Sequence, residues 1–331
     1  MIPRSLLPLA LLFGSLALTA CGSGDAEGGS SEEAKYELAV IPKGTSHEFW
    51  KSVHSGARKA EMELPVSITW MGPSKEDDRI AQIEVVDNFI SKGVDGIVIS
   101  PLDDTALVPV LKEAKAEGIP VVVVDSGVNW DGYESFVATD NRQGGVVAAR
   151  HLAELIGGEG KVMMMRYFEG SASTSKREIG FLDTIRDEFP KVEVVSGNQF
   201  GGATSDECYQ TAENLLINHQ EIDGIFCACE PTTFGMLRAL QDSDRAGKVR
   251  FVGFDATDKL LEGLRAGEID GLVLQDPFRM GELAVQRMVE HLEGKPVDKF
   301  VDTGVTVATQ ENVDTEAIRA LWNVDFDKWL K

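Results

Sequence analysis

From Tyr36 onward the chain keeps switching hydrophobic period, from a short β-rich run to an amphipathic stretch of helical length and back. No other property of the sequence restricts the fold as tightly. The β-rich runs lie at 37–42, 66–71, 96–100, 120–126, 161–167, 192–196, 224–229, 250–255 and 271–275. Helical patterns fall at 49–64, 79–91, 105–117, 144–156, 175–188, 205–218, 233–243, 258–266 and 280–292. Several runs, such as VVVV at 121–124 and GIVIS at 96–100, are apolar throughout, as a parallel strand buried on both faces must be. Gly118-Ile119-Pro120 supplies a helix stop followed by a strand start.

Strands alternating with helices build right-handed βαβ units and parallel sheets. About nine such units from Tyr36 onward exceed one comfortable sheet, so the expected fold class is α/β with two doubly wound domains. A single (β/α)8 barrel is the alternative. In doubly wound folds ligands bind beyond the carboxyl ends of the strands. The residues there are Pro42-Lys43, Ser100-Pro101, Asp125-Ser126, Glu230-Pro231, Asp255 and Gln275-Asp276, polar and acidic groups at the ends of apolar runs.

Charge and composition exclude several functions. With 32 Lys+Arg against 54 Asp+Glu the net charge is −22, and a nucleic-acid binder needs a basic face instead. The 43% hydrophobic content is enough for real cores, and 4 Cys are too few for a disulfide framework. Cys227 and Cys229 share a strand face and should not pair; Cys208 reads as a buried thiol, with a disulfide to one of them as the alternative. At the start, Arg4 precedes an apolar stretch of about 13 residues at 6–18, too short to span a membrane and suited to a secretory leader over 1–20. The sequence LTACG at 18–22 resembles a lipoprotein processing site, which implies cleavage before Cys21 and a lipid on its sulfur. Residues 22–35, rich in Gly, Ser and acid, read as a flexible tether, so 21–35 form a lipidated anchor segment.

Enzyme motifs are mostly missing. Gly157–Lys161 lacks phosphate-loop spacing and precedes a strand when it should follow one. The segment 170–174 lacks the second glycine of a nucleophile elbow. The five His make no metal motif, and no cofactor or metal is expected.

The segments ELAVIPKGTSHEFWKSVHSGARKA, GVDGIVISP, GIPVVVVDS, TDNRQGG, KREIGF, VRFVGFDAT and VLQDPFRMGELAV resemble, in order and near-family spacing, the sugar-type periplasmic binding proteins. The pattern is similar above all to the ribose-binding members and their galactose- and autoinducer-2-binding cousins, over about residues 36–295. The resemblance implies two α/β domains joined by a three-strand hinge, with the ligand in the cleft between them. It places crossings near Thr139-Asp140, Gln275-Asp276 and Asp302–Gly304, and hence domains of 36–139 plus 276–303 and 140–275 plus 304–331. It also implies a monomer that hands a sugar or related polyol to an ABC transporter permease, outside the cytoplasm and tied to a membrane by its lipid.

The matching positions have chemistry suited to a sugar, which shows apolar C–H faces and a ring of hydroxyls. Phe49 and Trp50 match the family's aromatic pair, where burial of such a face contributes roughly 1.5–3 kcal/mol. Asp125 and Asp255 match its ligand carboxylates, Arg177 its guanidinium fork, and Asn141 and Gln275 its amides; Ser100 occupies another strand-end contact position. Other positions depart from the ribose pattern. His47 replaces an Asn, Ser126 an Arg and Cys229 an Asn, with Glu230 beside it. Lys43 stands where the autoinducer-2 binder offers a lysine, and the aromatic expected near Ala203 is missing, with Phe200 the nearest substitute. The departures imply a more charged pocket and a ligand differing from ribose in size or polarity. A receptor serving a membrane kinase would share all of this, and an extracytoplasmic sugar-processing enzyme using Asp125 and Asp255 is a further alternative. A repressor with the same core would need a basic helix-turn-helix ahead of it, where this chain has a leader and an acidic tether.

Overall fold

The computed structural model describes residues 34–45 and 47–331. The leader, Cys21 and most of the tether lie outside the described residues. The first lobe starts with β1 (Tyr36–Ile41), α1 (Glu48–Glu63), β2 (Val66–Trp70), α2 (Arg79–Lys92), β3 (Gly96–Ile99), α3 (Val108–Ala116), β4 (Val121–Val124) and β5 (Ser135–Ala138). The second comprises α4 (Asn141–Leu155), β6 (Gly160–Arg166), α5 (Ala172–Glu188), β7 (Val192–Phe200), α6 (Ser205–Asn218), β8 (Gly224–Cys227), α7 (Glu230–Asp242), β9 (Arg250–Phe254), α8 (Asp258–Ala266) and β10 (Gly271–Leu274). The chain ends with α9 (Pro277–Leu292), β11 (Phe300–Asp302), β12 (Thr306–Ala308), α10 (Glu316–Trp322) and α11 (Phe326–Leu330).

The strands form two separate sheets, in the orders β11-β5-β4-β3-β1-β2 and β12-β10-β9-β8-β6-β7, so the barrel alternative fails. All pairings in the first sheet are parallel, and in the second only β12 runs antiparallel to its neighbour β10. The apolar runs follow from helices covering both faces of each sheet. In β1, Leu38 and Val40 enter one core layer while Ala39 and Ile41 enter the other. β5, β11 and β12, with 4, 3 and 3 residues, show no periodic signal and escape the sequence reading.

Polypeptide crosses between the lobes at Thr139-Asp140, at Gln275-Asp276 and at residues 303–305. The first and third crossings are stitched together. Asp302 Oδ1 accepts from the backbone N–H groups of Asp140 (3.1 Å) and Gly304 (2.9 Å), and the Thr139 hydroxyl donates to the Gly304 carbonyl (3.0 Å). Gly304 sits at φ 85°, a conformation that glycine adopts without steric cost.

The tail corrects one expectation. Residues 304–331 do not all remain with the second lobe. Val313 and Ile318 join its core and Trp322 packs on it, but α11 returns to α1, and the Trp329 ring lies 5.7 Å from that of Phe278. No residue of the short helix α11 is fully buried, and Trp329 and Leu330 are half-covered where it packs on α1. The chain therefore passes between the lobes a fourth time, at residues 323–325.

In each lobe, the helix arriving from a crossing packs backbone to backbone on the helix that follows the first strand. A Cβ on Gly281 of α9 would lie 1.9 Å from the Val53 carbonyl oxygen of α1, and one on Gly56 of α1 would lie 1.8 Å from that of Phe278. In the second lobe, a Cβ on Gly145 of α4 would lie 1.9 Å from the Arg177 oxygen of α5, and one on Gly180 of α5 would lie 2.2 Å from that of Arg142. Backbone atoms cannot rotate aside as side chains do. We expect Gly281→Ala to destabilise the fold by about 1–3 kcal/mol or more, read as a lower urea midpoint at unchanged slope.

Candidate functional site

β4 and β9 hold corresponding places in the two sheets, and each ends in an aspartate with left-handed backbone: Asp125 at φ 61° and Asp255 at φ 67°. Side chains other than glycine rarely adopt that region, and Asp is among the few that tolerate it. Each aspartate N–H still continues the sheet, donating to Val137 O (2.9 Å) or Val273 O (2.8 Å). Both carboxylates line the gap between the lobes.

On the first lobe, Lys43 follows β1 and is 3% exposed. Its ammonium lies 3.4 Å from Asp125 Oδ2 and donates across the gap to the hydroxyls of Ser171 (3.2 Å) and Ser173 (3.1 Å) at the start of α5. His47 precedes α1 without capping it, because Nδ1 bonds Glu76 Oε1 (2.7 Å), which also accepts from the Trp50 indole N–H (2.6 Å). Burial, the largest influence on His47, works against its charge. The bond to Glu76 and the carboxylates of Glu76, Glu230 and Asp255 outweigh it and raise the pKa to about 9. Burial likewise pushes Glu76 upward, but the bond and charge of His47, with Lys43 and Trp50, hold its carboxyl below the usual range.

On the second lobe, Arg177 is gripped from several sides. Its Nε donates to Asn141 Oδ1 (2.7 Å) and one Nη to Ala228 O (3.0 Å); that Nη lies 3.9 Å from Asp255 Oδ2, and the guanidinium stacks 3.9 Å from the Phe254 ring centre. Asp255 Oδ1 accepts from Gln275 Nε2 (2.7 Å), and Oδ2 from the Glu230 backbone N–H (3.2 Å). Burial raises the Asp255 pKa, partly offset by Arg177. Burial also pushes Glu230 up to about 7, against the charge of His47 and with the help of Asp255 and other carboxylates.

These groups surround an empty space of about 350 Å3. Of the residues expected from sequence, Lys43, His47, Phe49, Trp50, Asp125, Arg177, Glu230, Asp255 and Gln275 line it. Three stand behind the lining. Ser100 is fully buried and donates to Asp125 Oδ2 (3.1 Å). Ser126 accepts from the Ser173 N–H of the opposite lobe (3.2 Å). Asn141 ties Arg177 to the carbonyls of Asp125 and Thr139 and leaves the capping of α4 to Asp140. Each of these side chains spends its polar atoms on a lining residue or on the opposite lobe.

The structure adds residues that sequence reasoning missed. Glu76 lies in an acidic, polar loop (73–78) with nothing to set it apart. Tyr167, directly after β6, is the aromatic of the second lobe; its hydroxyl donates to Ala203 O (3.1 Å), next to the position where an aromatic was missed. The strand-end rule would have found it. Phe200 is no substitute: it is 40% exposed, under the Arg166 guanidinium, and does not line the space. Cys229 lines the space, and Cys208, Cys227 and Cys229 are all free buried thiols, which removes the disulfide alternative. A roomier hollow of about 900 Å3 lies beside the site, between α1, the start of α8 and residues 321–326, and shares Phe49, Asp255 and Gln275 with it. The smaller space is lined by three buried ion pairs and by the unpartnered Oε2 of Glu230 and Oε1 of Gln275.

Two doubly wound lobes, hinged by extended crossings and meeting at polar strand ends, define a bilobal small-ligand-binding protein. The model of the periplasmic binding protein domain matches residues 38–296, and the chain belongs to that family. The ribose import binding protein of Bacillus subtilis is 27% identical over 282 residues, covering 85% of this chain and 90% of the relative. The D-allose-binding periplasmic protein of Escherichia coli is 27% identical over 281 residues, covering 82% and 90%. Among solved structures, an ABC transporter solute-binding protein from Agrobacterium vitis with bound D-fucose superposes with a TM-score of 0.84 at 35% identity, covering 86% of this chain and 99% of that one. A carbohydrate transporter solute-binding protein from Agrobacterium radiobacter in complex with D-arabinose gives 0.84 at 33%, covering 87% and 99%.

The buried His47–Glu76 pair sets a pH dependence. In the unfolded chain the imidazole releases its proton near 6.5; in the fold it keeps it to about 9. The native state therefore binds the extra proton between these values, and stability falls as pH rises through them. Chemical denaturation at about pH 6 and about pH 8 should show a loss on the order of 2 kcal/mol greater in the wild type than in His47→Gln.

Proposed function

We propose that this protein captures a monosaccharide-like ligand by closure of its two lobes and delivers it to an ABC importer, working as a monomer tethered outside the cytoplasm through a lipid on Cys21. The observation that carries this reading is the pair of left-handed aspartates, Asp125 and Asp255, set one on each lobe around a polar space. Charge-assisted hydrogen bonds from ligand hydroxyls to such carboxylates are worth roughly 1.5–3 kcal/mol each. The family match and the relatives, which bind ribose, allose, fucose and arabinose, support a sugar ligand. Capture needs no bond made or broken, so none of these residues is assigned a catalytic role.

Closure supplies the mechanism. Contacts between the lobes already include Lys43 to Ser171 and Ser173, the Asp104 N–H to Gly170 O (3.0 Å) and Arg79 to Glu169 O (2.6 Å). A ligand touching Asp125 on one side and Arg177 or Asp255 on the other binds the closed arrangement better than an open one. Only that difference can shift the equilibrium. The closed surface is then the form a permease recognises.

A thermal-shift screen of monosaccharides and polyols tests the reading. A ligand at 100 times its Kd should add about 2.7 kcal/mol to folding stability. Asp125→Asn and Asp255→Asn should each weaken the cognate ligand by a factor of about 10 to 150 in calorimetric titration. Wild-type affinity in both variants would remove the cleft assignment. For the anchor, Cys21→Ser should move the protein from the membrane fraction to the soluble one with ligand affinity unchanged; a wild-type protein that is soluble with an unmodified Cys21 would refute the lipid.

A further inference from the structure

The charged groups of the site pair off unevenly. Lys43 sits against Asp125 (3.4 Å), His47 against Glu76 (2.7 Å) and Arg177 against Asp255 (3.9 Å). Glu230 is the carboxylate left without a cation among the described residues lining the site. Its Oε2 is buried and accepts no hydrogen bond. Gln275 Oε1 is in the same condition. Its orientation follows from its other end, because Nε2 is committed to Asp255 Oδ1, which leaves the oxygen as the free end. Both residues bond Asp255, Gln275 through its side chain and Glu230 through its backbone N–H, and all three line the same space.

An unpartnered buried acceptor is costly, and an unpaired buried charge more so. The occupant of this corner must bring donors and, with Glu230 ionised, a positive charge. A hydroxyl offers one donor, two lone pairs and no charge; an ammonium offers three donors and no acceptor. We propose that the ligand is a sugar or polyol carrying a basic amine, and that Glu230 is the group that selects it. This rests on the sugar-binding reading above and specifies its ligand class. The charged groups facing Glu230 are His47 and Glu48 from α1, Glu76 from the loop before α2 and Asp255 from the end of β9. Three of these four are acidic, a surrounding that favours a cation. As Glu230 ionises on passing pH 7, its grip on an amine tightens.

The test is calorimetric titration of the full chain with matched pairs: D-glucosamine and D-glucose, D-galactosamine and D-galactose, D-mannosamine and D-mannose. At about pH 7.5 an amino sugar should bind at least tenfold more tightly than its neutral partner. The preference should shrink at about pH 5.5. Glu230→Gln keeps the shape and removes the charge. It should cost the amino sugar tenfold or more, and at least threefold more than it costs the neutral partner. If Glu230→Gln does not fold, the pH dependence of the wild type decides. A neutral member that binds as tightly as its amine overturns this inference and leaves the sugar reading standing. Failure of every amino and neutral sugar in these pairs and in the monosaccharide screen overturns both.

Discussion

Two helices approach backbone to backbone only where neither has a side chain in the way, and this protein uses that contact in both lobes. Gly56 and Gly281 seat α1 on α9; Gly145 and Gly180 seat α4 on α5. The helices seated this way include α1 and α5, whose first turns face the gap. His47, Phe49 and Trp50 begin one; Ser171, Ser173 and Arg177 begin the other. The partners, α9 and α4, are the helices that arrive directly from the crossings. The same contacts that close each core therefore register the site against the hinge. A shift of either helix by a methyl's width would displace the aromatic pair or the guanidinium relative to the aspartates.

The starts of these two helices also show a local rule set aside. The helices α2, α4, α6, α8, α9 and α11 begin with a side chain that accepts from their own backbone, as helix ends prefer. At α1 and α5, as at α3 and α10, the residue in that place makes no such bond. His47 is engaged by Glu76 and the Ser171 hydroxyl by Lys43. Local helix stability is given up, and the polar atoms serve the gap. The left-handed aspartates at the ends of β4 and β9 are the backbone counterpart of the same trade, since strained conformations persist where the surroundings hold them in place.

Much of this was legible in the residues. Nine of the eleven helices of the described residues and the longer strands follow from periodicity, and the switch from one sheet to two follows from their number. Strand ends in a doubly wound fold are ligand-facing by construction, so Lys43, Asp125, Glu230, Asp255 and Gln275 could be named from the ends of apolar runs. Tyr167 obeys the same rule, and its hydroxyl reaches the second-lobe position near Ala203 where the resemblance expects an aromatic. Glu76 obeys no rule of spacing. It comes from a loop, and a carboxylate in an acidic loop looks like solvated surface until His47 and Trp50 are brought onto it.

The sequence alone determined the order of strands and helices, the apolar layers on both faces of each sheet and the polar strand ends, because these depend on periodicity and composition within a few residues. Only the tertiary structure decided which polar groups became partners. Lys43 meets Ser171 and Ser173, Asn141 meets Arg177, and Ser126 meets Ser173, across separations of 128, 130, 36 and 47 residues. Ser100, Ser126 and Asn141 were drawn behind the lining, and Glu230 was left without a cation. The return of α11 to the first lobe was decided at that level as well. The physical reason is the same throughout. A polar or aromatic side chain has several acceptable partners of equal chemistry, and the choice among them is made by distances that exist only once both lobes have folded and met.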